Sequence, residues 1–163
     1  MSSTSPRVGL IGLAVMGKNL ALNIADHGFD IAVFNRTTGV MDDFIRENPS
    51  TPGRLVGCQT LKELVVAIAK PRVIIVLVKA GPAVDSIVEQ LLAAGLEADD
   101  IVVDAGNSLW TDTIRRERDY AGKLKFFGSG RFSPAVKLVI SVTRVNLPFA
   151  TLMPWNQSNR RNR

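Results

Sequence analysis

Short apolar runs alternate with segments of helical periodicity along residues 7–130. The clearest run, Val73–Val78, reads Val-Ile-Ile-Val-Leu-Val, without the polar alternation of a half-exposed strand. Such a run is typical of a parallel strand that helices cover on both faces. The pattern predicts six strands, at Arg7–Ile11, Ile31–Asn35, Leu55–Cys58, Val73–Val78, Ile101–Asp104 and Lys125–Phe127.

The segments between these runs have the spacing of amphipathic helices. Gly28 is a stop signal for the first of them, and Thr60 with Glu63 three residues later has the spacing of a capping box. Helices are predicted at about Val15–His27, at Val40–Glu47, after Thr60, at Pro82–Ala94 and at Thr111–Ala121. This alternation predicts an α/β fold, a Rossmann-type doubly wound parallel sheet with helices on both faces.

A glycine turn joins the first strand to the first helix, with the sequence Gly12-Leu13-Ala14-Val15-Met16-Gly17. Backbone N–H groups at a helix start, together with the helix dipole, favour a bound pyrophosphate. Gly12 permits the tight turn and Gly17 lets the helix pack closely on the sheet, while Ala14 replaces the usual second glycine. The turn predicts a dinucleotide site; the alternative is a turn that only connects strand to helix.

The residues that end the second strand indicate which dinucleotide is bound. NAD-binding units typically place an acid there, on the ribose 2′-OH, but this chain has Asn35, Arg36 and Thr37. An amide, a guanidinium and a hydroxyl suit a 2′-phosphate, which an acid would repel. The trio predicts NADP; the alternative is that Thr37 or Thr38 caps a helix beside a solvated Arg36.

The net charge of +5 comes from the C-terminal end of the chain. Residues 1–130 hold 14 basic and 15 acidic residues, whereas residues 131–163 hold six basic residues and no acid. We therefore expect an NADP-binding domain at 1–130 and an aberrant, partly disordered basic tail at 131–163. Nucleic-acid binding through that tail is a disfavoured alternative, because Trp155 is its only Trp or Tyr.

Single cysteine and histidine residues limit the chemistry. Cys58 alone forms no intrachain disulfide and is expected to be buried and inert, and His27 is expected at a helix end. No metal site is expected. The N-terminal residues lack the regions of a signal peptide and no apolar run reaches about 18 residues, so we expect a cytoplasmic protein with no membrane partner.

Motifs along residues 7–130 resemble 6-phosphogluconate dehydrogenase. Beyond the glycine turn with Lys18-Asn19-Leu20, they are Asp26-His27-Gly28-Phe29, Phe34-Asn35-Arg36-Thr37, Leu77-Val78-Lys79-Ala80-Gly81, Asp104-Ala105-Gly106-Asn107-Ser108 and Phe127-Gly128-Ser129-Gly130. The wider β-hydroxyacid dehydrogenases share the glycine turn but lack this combination. Another member of that wider group and a non-catalytic NADP-binding module are the alternatives.

The resemblance implies an oxidoreductase of the pentose phosphate pathway, which converts 6-phosphogluconate to ribulose 5-phosphate with NADP⁺ as hydride acceptor. It also implies homodimers in the family, although these form through a helical domain and do not transfer to this chain. Asn107 is implied to contact both nicotinamide and substrate. The implied cofactor-binding residues are Gly12, Leu13, Ala14, Val15, Met16, Gly17, Asn35, Arg36, Thr37, Val78, Lys79, Ala80 and Asn107.

The family pattern breaks after Gly130. Where the family continues Val-Ser-Gly-Gly-Glu, this chain reads Arg131-Phe132-Ser133-Pro134, which we interpret as a truncation or a shift of reading frame. The Lys base and Glu acid that the family's chemistry needs lie downstream of this point. No residue is therefore expected to be catalytic, and we expect the chain alone to be inactive with 6-phosphogluconate.

Overall fold

A computed structural model describes residues 5–128. They form a six-stranded sheet in the order β3-β2-β1-β4-β5-β6, and every neighbouring pair is parallel. The strands are β1 Val8–Ile11, β2 Ile31–Phe34, β3 Leu55–Cys58, β4 Val73–Val76, β5 Ile101–Asp104 and β6 Lys125–Gly128. The doubly wound parallel sheet is confirmed, and its strand order reverses between β1 and β4. The predicted basic tail, 131–163, lies outside the described residues.

Five helices connect the strands: α1 Val15–Asp26, α2 Thr38–Glu47, α3 Leu61–Ala67, α4 Pro82–Ala93 and α5 Trp110–Asp119. All five predictions are confirmed with small shifts at the ends. The predicted β4 is too long, because Leu77 and Val78 lie beyond its last residue. Strand pairing ends with Val76 opposite Ile11, after which the Leu77 N–H donates to the Ile11 carbonyl at 2.8 Å.

The core has two main layers, one on each face of the sheet. On one face, Leu10 and Val33 pack with residues of α1 and α2, including Ile24 and Phe44. On the other face, Ile74 and Val102 of the sheet pack with residues of α3 and α4, which include Leu64 and Val88. Both faces of the strands are therefore apolar, which explains the unbroken runs in the sequence.

The predicted cap of α3 forms with one difference. The Thr60 hydroxyl accepts a hydrogen bond from the Glu63 N–H at 3.1 Å. The Glu63 carboxylate accepts from the N–H of Gln59 at 2.8 Å, one residue earlier than in the reciprocal capping box. The two hydrogen bonds still tie the residues before α3 to its first turn.

Cys58 and His27 have the expected structural positions. Cys58 is buried, and burial raises the pKa of its thiol to about 11, so the reactive thiolate is scarce at neutral pH. His27 is the C-terminal cap residue of α1, where its Nδ1 lies 2.7 Å from the carbonyl oxygen of Asn23.

Candidate functional site

Four strands end at one level and release their loops at the same edge of the sheet. The register pairs Ile11 with Phe34 and with Val76, and it pairs Val76 with Asp104. The loops at 12–14, 35–37, 77–81 and 105–109 therefore leave the sheet side by side. Every predicted cofactor-binding residue lies in one of these loops or in the first turn of α1. Ligands of open α/β sheets bind at this edge, where the strand order reverses.

The glycine turn has the backbone that the sequence predicts. Gly12 has a φ of +101°, and a Cβ there would lie 2.2 Å from the carbonyl oxygen of Leu77. A Cβ on Gly17 would lie 1.9 Å from the carbonyl oxygen of Gly12, so a side chain at either position forces the backbone apart. The two glycines bring the start of α1 against the end of β1.

The first turn of α1 is open to an anion. Ala14 is the N-cap residue and supplies no side-chain cap, and the first turn contains no acidic residue. Val15 and Met16 are 77% and 60% exposed. The positive end of the helix dipole therefore faces solvent at the place where the sequence predicts a pyrophosphate.

Leu13 and Asn35 hold the turn to the end of β2. The Leu13 N–H donates to Asn35 Oδ1 at 3.0 Å, and Asn35 Nδ2 donates to the Thr37 carbonyl oxygen at 2.9 Å. Asn35 thus links two predicted cofactor loops, a role that the sequence analysis missed. The N–H of Leu13 is thus engaged within the protein, whereas Ala14, Val15 and Met16 at the start of α1 are exposed.

Arg36 and Thr37 lie exposed at the corner between β2 and α2. Thr37 is the N-cap residue of α2, but its hydroxyl makes no cap hydrogen bond. The capping alternative is therefore wrong for the side chain of Thr37. The first turn of α2, which follows this corner, contains no acidic residue that would repel a phosphate.

The other half of the edge is formed by the loops after β4 and β5. Lys79 and Asn107 are exposed, and Val78 and Ala80 are partly buried. A Cβ on Gly106 would lie 2.9 Å from the carbonyl oxygen of Val78, so the two loops touch through their backbones. The structure thus brings the loop of Val78, Lys79 and Ala80 next to the loop that carries Asn107.

A buried arginine beneath these loops is the main feature that the sequence analysis missed. The side chain of Arg116 on α5 is 0% exposed and contacts Asp85, Asp104 and Ser108. The hydrogen bond from Arg116 is the largest of the causes that lower the pKa of the Asp85 carboxyl. The only signal in the sequence is two adjacent arginines in a helix, a pattern that is usually solvated.

Within residues 5–128 no group of three or more His, Cys, Asp or Glu residues is placed to hold a metal ion. None of the helices described there combines the length and the apolar character needed to cross a membrane.

Known proteins match the same part of the chain that forms the sheet and its helices. Residues 7–130 match the family described as the NAD binding domain of 6-phosphogluconate dehydrogenase. The chain is 52% identical over 124 residues to human 6-phosphogluconate dehydrogenase, decarboxylating, and 48% identical over 124 residues to that of Treponema pallidum. The human match covers 76% of this chain and 25% of the relative, so the chain spans about a quarter of the length of that protein.

Solved structures agree with the sequence matches. Plasmodium falciparum 6-phosphogluconate dehydrogenase, studied apo and with its cofactor NADP⁺ or its substrate 6-phosphogluconate, is similar with a TM-score of 0.67 and 39% identity. That match covers 73% of this chain and 26% of the other. Mycobacterium tuberculosis 3-hydroxyisobutyrate dehydrogenase matches with a TM-score of 0.61 over 76% of this chain and 39% of its own. At 16% identity that likeness shows a shared fold alone.

Proposed function

The chain belongs to the family of NAD-binding domains of 6-phosphogluconate dehydrogenase, and from this premise we propose that its sheet edge binds NADP. The observation that carries the proposal is the open start of α1 beside the corner of Asn35, Arg36 and Thr37, where neither these three residues nor the first turn of α2 include an acid. The first feature suits a pyrophosphate, and the second suits the 2′-phosphate that distinguishes NADP from NAD.

We propose that the adenosine half binds at the end of β2. Arg36 is exposed and can donate charge-assisted hydrogen bonds to a phosphate, and the Thr37 hydroxyl is free of capping. Asn35 keeps one Nδ2 proton beyond its bond to the Thr37 carbonyl. A charge-assisted bond contributes about 1.5–3 kcal/mol, so each bond to the 2′-phosphate favours NADP over NAD by one to two decades.

The nicotinamide half is proposed to lie across the ends of β4 and β5. Val78, Lys79 and Ala80 line one side, and Asn107 on the other side contacts both the nicotinamide and the substrate. The pyrophosphate crosses the first turn of α1, between the two halves. This path follows the sheet order, in which β1 separates β2 from β4 and β5.

In the whole enzyme we propose that this domain receives the hydride when 6-phosphogluconate is oxidised and decarboxylated to ribulose 5-phosphate. The 163-residue chain alone is proposed not to turn over this substrate. Two observations support the proposal that the chain alone is inactive. The matched region covers about a quarter of the human relative, and it contains no residue that we predict to act as an acid or a base. The homodimer that the resemblance implies for the family does not transfer to this chain, and the cytoplasmic location stays a prediction.

Calorimetric titration of the full chain with NADP⁺ and with NAD⁺ tests the proposal. We expect saturable binding of NADP⁺ and at least tenfold weaker binding of NAD⁺, about 1.4 kcal/mol or more. The variant R36A should lose most of that preference. The matched control R46A removes an exposed arginine paired with Asp43 on α2 and should leave both affinities unchanged. Binding of neither nucleotide, or equal binding of both, contradicts the proposal.

A further inference from the structure

We propose that Arg116 is a positioning residue, which holds the loops after β4 and β5 in the arrangement that receives the nicotinamide half of the cofactor. The inference rests on the proposed function. It concerns how the site is shaped and not a contact with the ligand, because the side chain of Arg116 is fully buried beneath the loops.

The guanidinium of Arg116 has five N–H donors, and the structure provides five acceptors for them. Nε and Nη2 donate to the two carboxylate oxygens of Asp85 at 2.9 and 2.8 Å. Nη2 also donates to the carbonyl oxygen of Gly81 at 2.9 Å. Nη1 reaches Ser108 Oγ at 3.3 Å and Asp104 Oδ2 at 3.4 Å. The planar fork of arginine is suited to this set, which a lysine ammonium with three donors cannot satisfy.

Two of these acceptor residues hold the loop after β4. Gly81 directly follows Lys79 and Ala80, and it is the N-cap residue of α4, with a φ of +100°. Asp85 lies in the first turn of the same helix and is bonded through both oxygens. Arg116 therefore fixes the point at which the Lys79 loop turns into α4.

The other two acceptor residues hold the loop after β5. Asp104 ends β5 with 1% exposure, and its Oδ1 accepts from the Gly106 N–H at 3.0 Å. Its Oδ2 accepts from the Ser108 hydroxyl, which is also bonded by Arg116. Asn107 lies between Gly106 and Ser108, which are both bonded to Asp104. Its backbone is therefore held on both sides, while Asn107 itself is exposed.

The adenosine half of the site is independent of this network. None of the five acceptors lies on β1, β2, α1 or α2. A loss of Arg116 should therefore weaken a ligand that spans the whole edge, and it should spare a ligand that stops at the pyrophosphate. Adenosine 2′,5′-bisphosphate is such a probe, because it carries the adenosine and 2′-phosphate of NADP without the nicotinamide.

Arg115 provides a matched control. It is the neighbour of Arg116 on α5 and bonds the same carboxylate, with Nη2 at 3.0 and 3.1 Å from the two oxygens of Asp85. Its side chain is 42% exposed, and it pairs with Asp85 on α4 and with Asp119 on its own helix. R115K and R116K thus make the same chemical change beside the same acid.

The test uses the full chain with R116K, S108A and R115K, each titrated with NADP⁺ and with adenosine 2′,5′-bisphosphate. We expect R116K to raise the Kd for NADP⁺ about tenfold and S108A about threefold, with the Kd for the bisphosphate within a factor of about two. R115K should leave both constants unchanged. In the free chain, amide hydrogen exchange at 79–85 and 105–109 should rise in R116K, while β1 and β2 keep their protection.

Equal weakening of both ligands by R116K would show a general loss of stability and overturn the inference. An unchanged Kd for NADP⁺ in R116K would also overturn the inference. If R116K does not fold, S108A decides, and an unchanged NADP⁺ affinity in that variant refutes the positioning role. Binding of neither ligand by the unsubstituted chain removes the proposed function itself, and with it this inference.

Discussion

Substitution of Gly12 by Ala should destabilise the protein more than the same methyl group added at Gly28 or Gly39. Gly12 has a φ of +101°, a region that residues with a Cβ rarely adopt. The added Cβ would also lie 2.2 Å from the carbonyl oxygen and 2.9 Å from the carbonyl carbon of Leu77, which are backbone atoms that no rotamer change can move.

The magnitude has two parts. Left-handed backbone costs a residue with a Cβ about 1–2 kcal/mol. Forcing packed atoms apart costs about 1–3 kcal/mol more. The free energy of unfolding should therefore fall by about 2–5 kcal/mol, a large share of the roughly 5–15 kcal/mol typical of a domain.

The two control glycines separate these parts in urea unfolding of the full chain. Gly28 has a φ of +83° and open space where a Cβ would stand, so G28A should cost only the backbone part, about 1–2 kcal/mol. Gly39 lies in α2, has no left-handed φ, and has open space where a Cβ would stand. G39A should therefore stabilise the protein by about 0.5–1 kcal/mol. If G12A costs no more than G28A, the close contact with Leu77 does not limit this position.

Single contacts give three more predictions. N35D keeps an acceptor for the Leu13 N–H but places a charge beside the proposed 2′-phosphate, so calorimetry should show at least tenfold weaker NADP⁺ binding and no loss for NAD⁺; unchanged NADP⁺ affinity argues against that location. T60A removes the cap of α3 and should lower the free energy of unfolding by about 0.5–2 kcal/mol, whereas no change means that the Glu63 bond suffices. Because Arg116 lowers the pKa of Asp85, the stability from this carboxylate is present above its unfolded pKa and is lost as the pH falls below about 4. D85N should therefore shrink the difference in melting temperature between pH 7 and pH 3, and an equal difference in both proteins refutes the coupling.

Local patterns in the sequence are sufficient to predict most of this fold. Runs such as Val73–Val78 identify strands because both faces of the sheet are covered, and the glycine spacing identifies the turn because only glycine fits its backbone. Strand ends are harder to predict. Leu77 and Val78 continue an apolar run, but pairing stops at Val76 because the neighbouring strand β1 stops at Ile11.

The parts of the site that the sequence did not reveal depend on contacts between distant residues. The bond from Leu13 to Asn35 spans 22 positions, and the bonds from Arg116 reach back 31 positions to Asp85 and 35 to Gly81. A polar helix such as α5 resembles a solvated surface until its partners are known. Only the packed structure shows that one of its arginines is fully buried.

The most direct test of the cofactor site is a map of amide chemical shifts in the ¹⁵N-labelled full chain during titration with NADP⁺. We expect the largest changes at Gly12–Gly17, at Asn35–Thr37, at Val78–Ala80 and at Asn107, with the first two groups alone responding to adenosine 2′,5′-bisphosphate. Changes centred at the opposite edge of the sheet, or no saturable change, would contradict a dinucleotide site at the carboxyl ends of the strands.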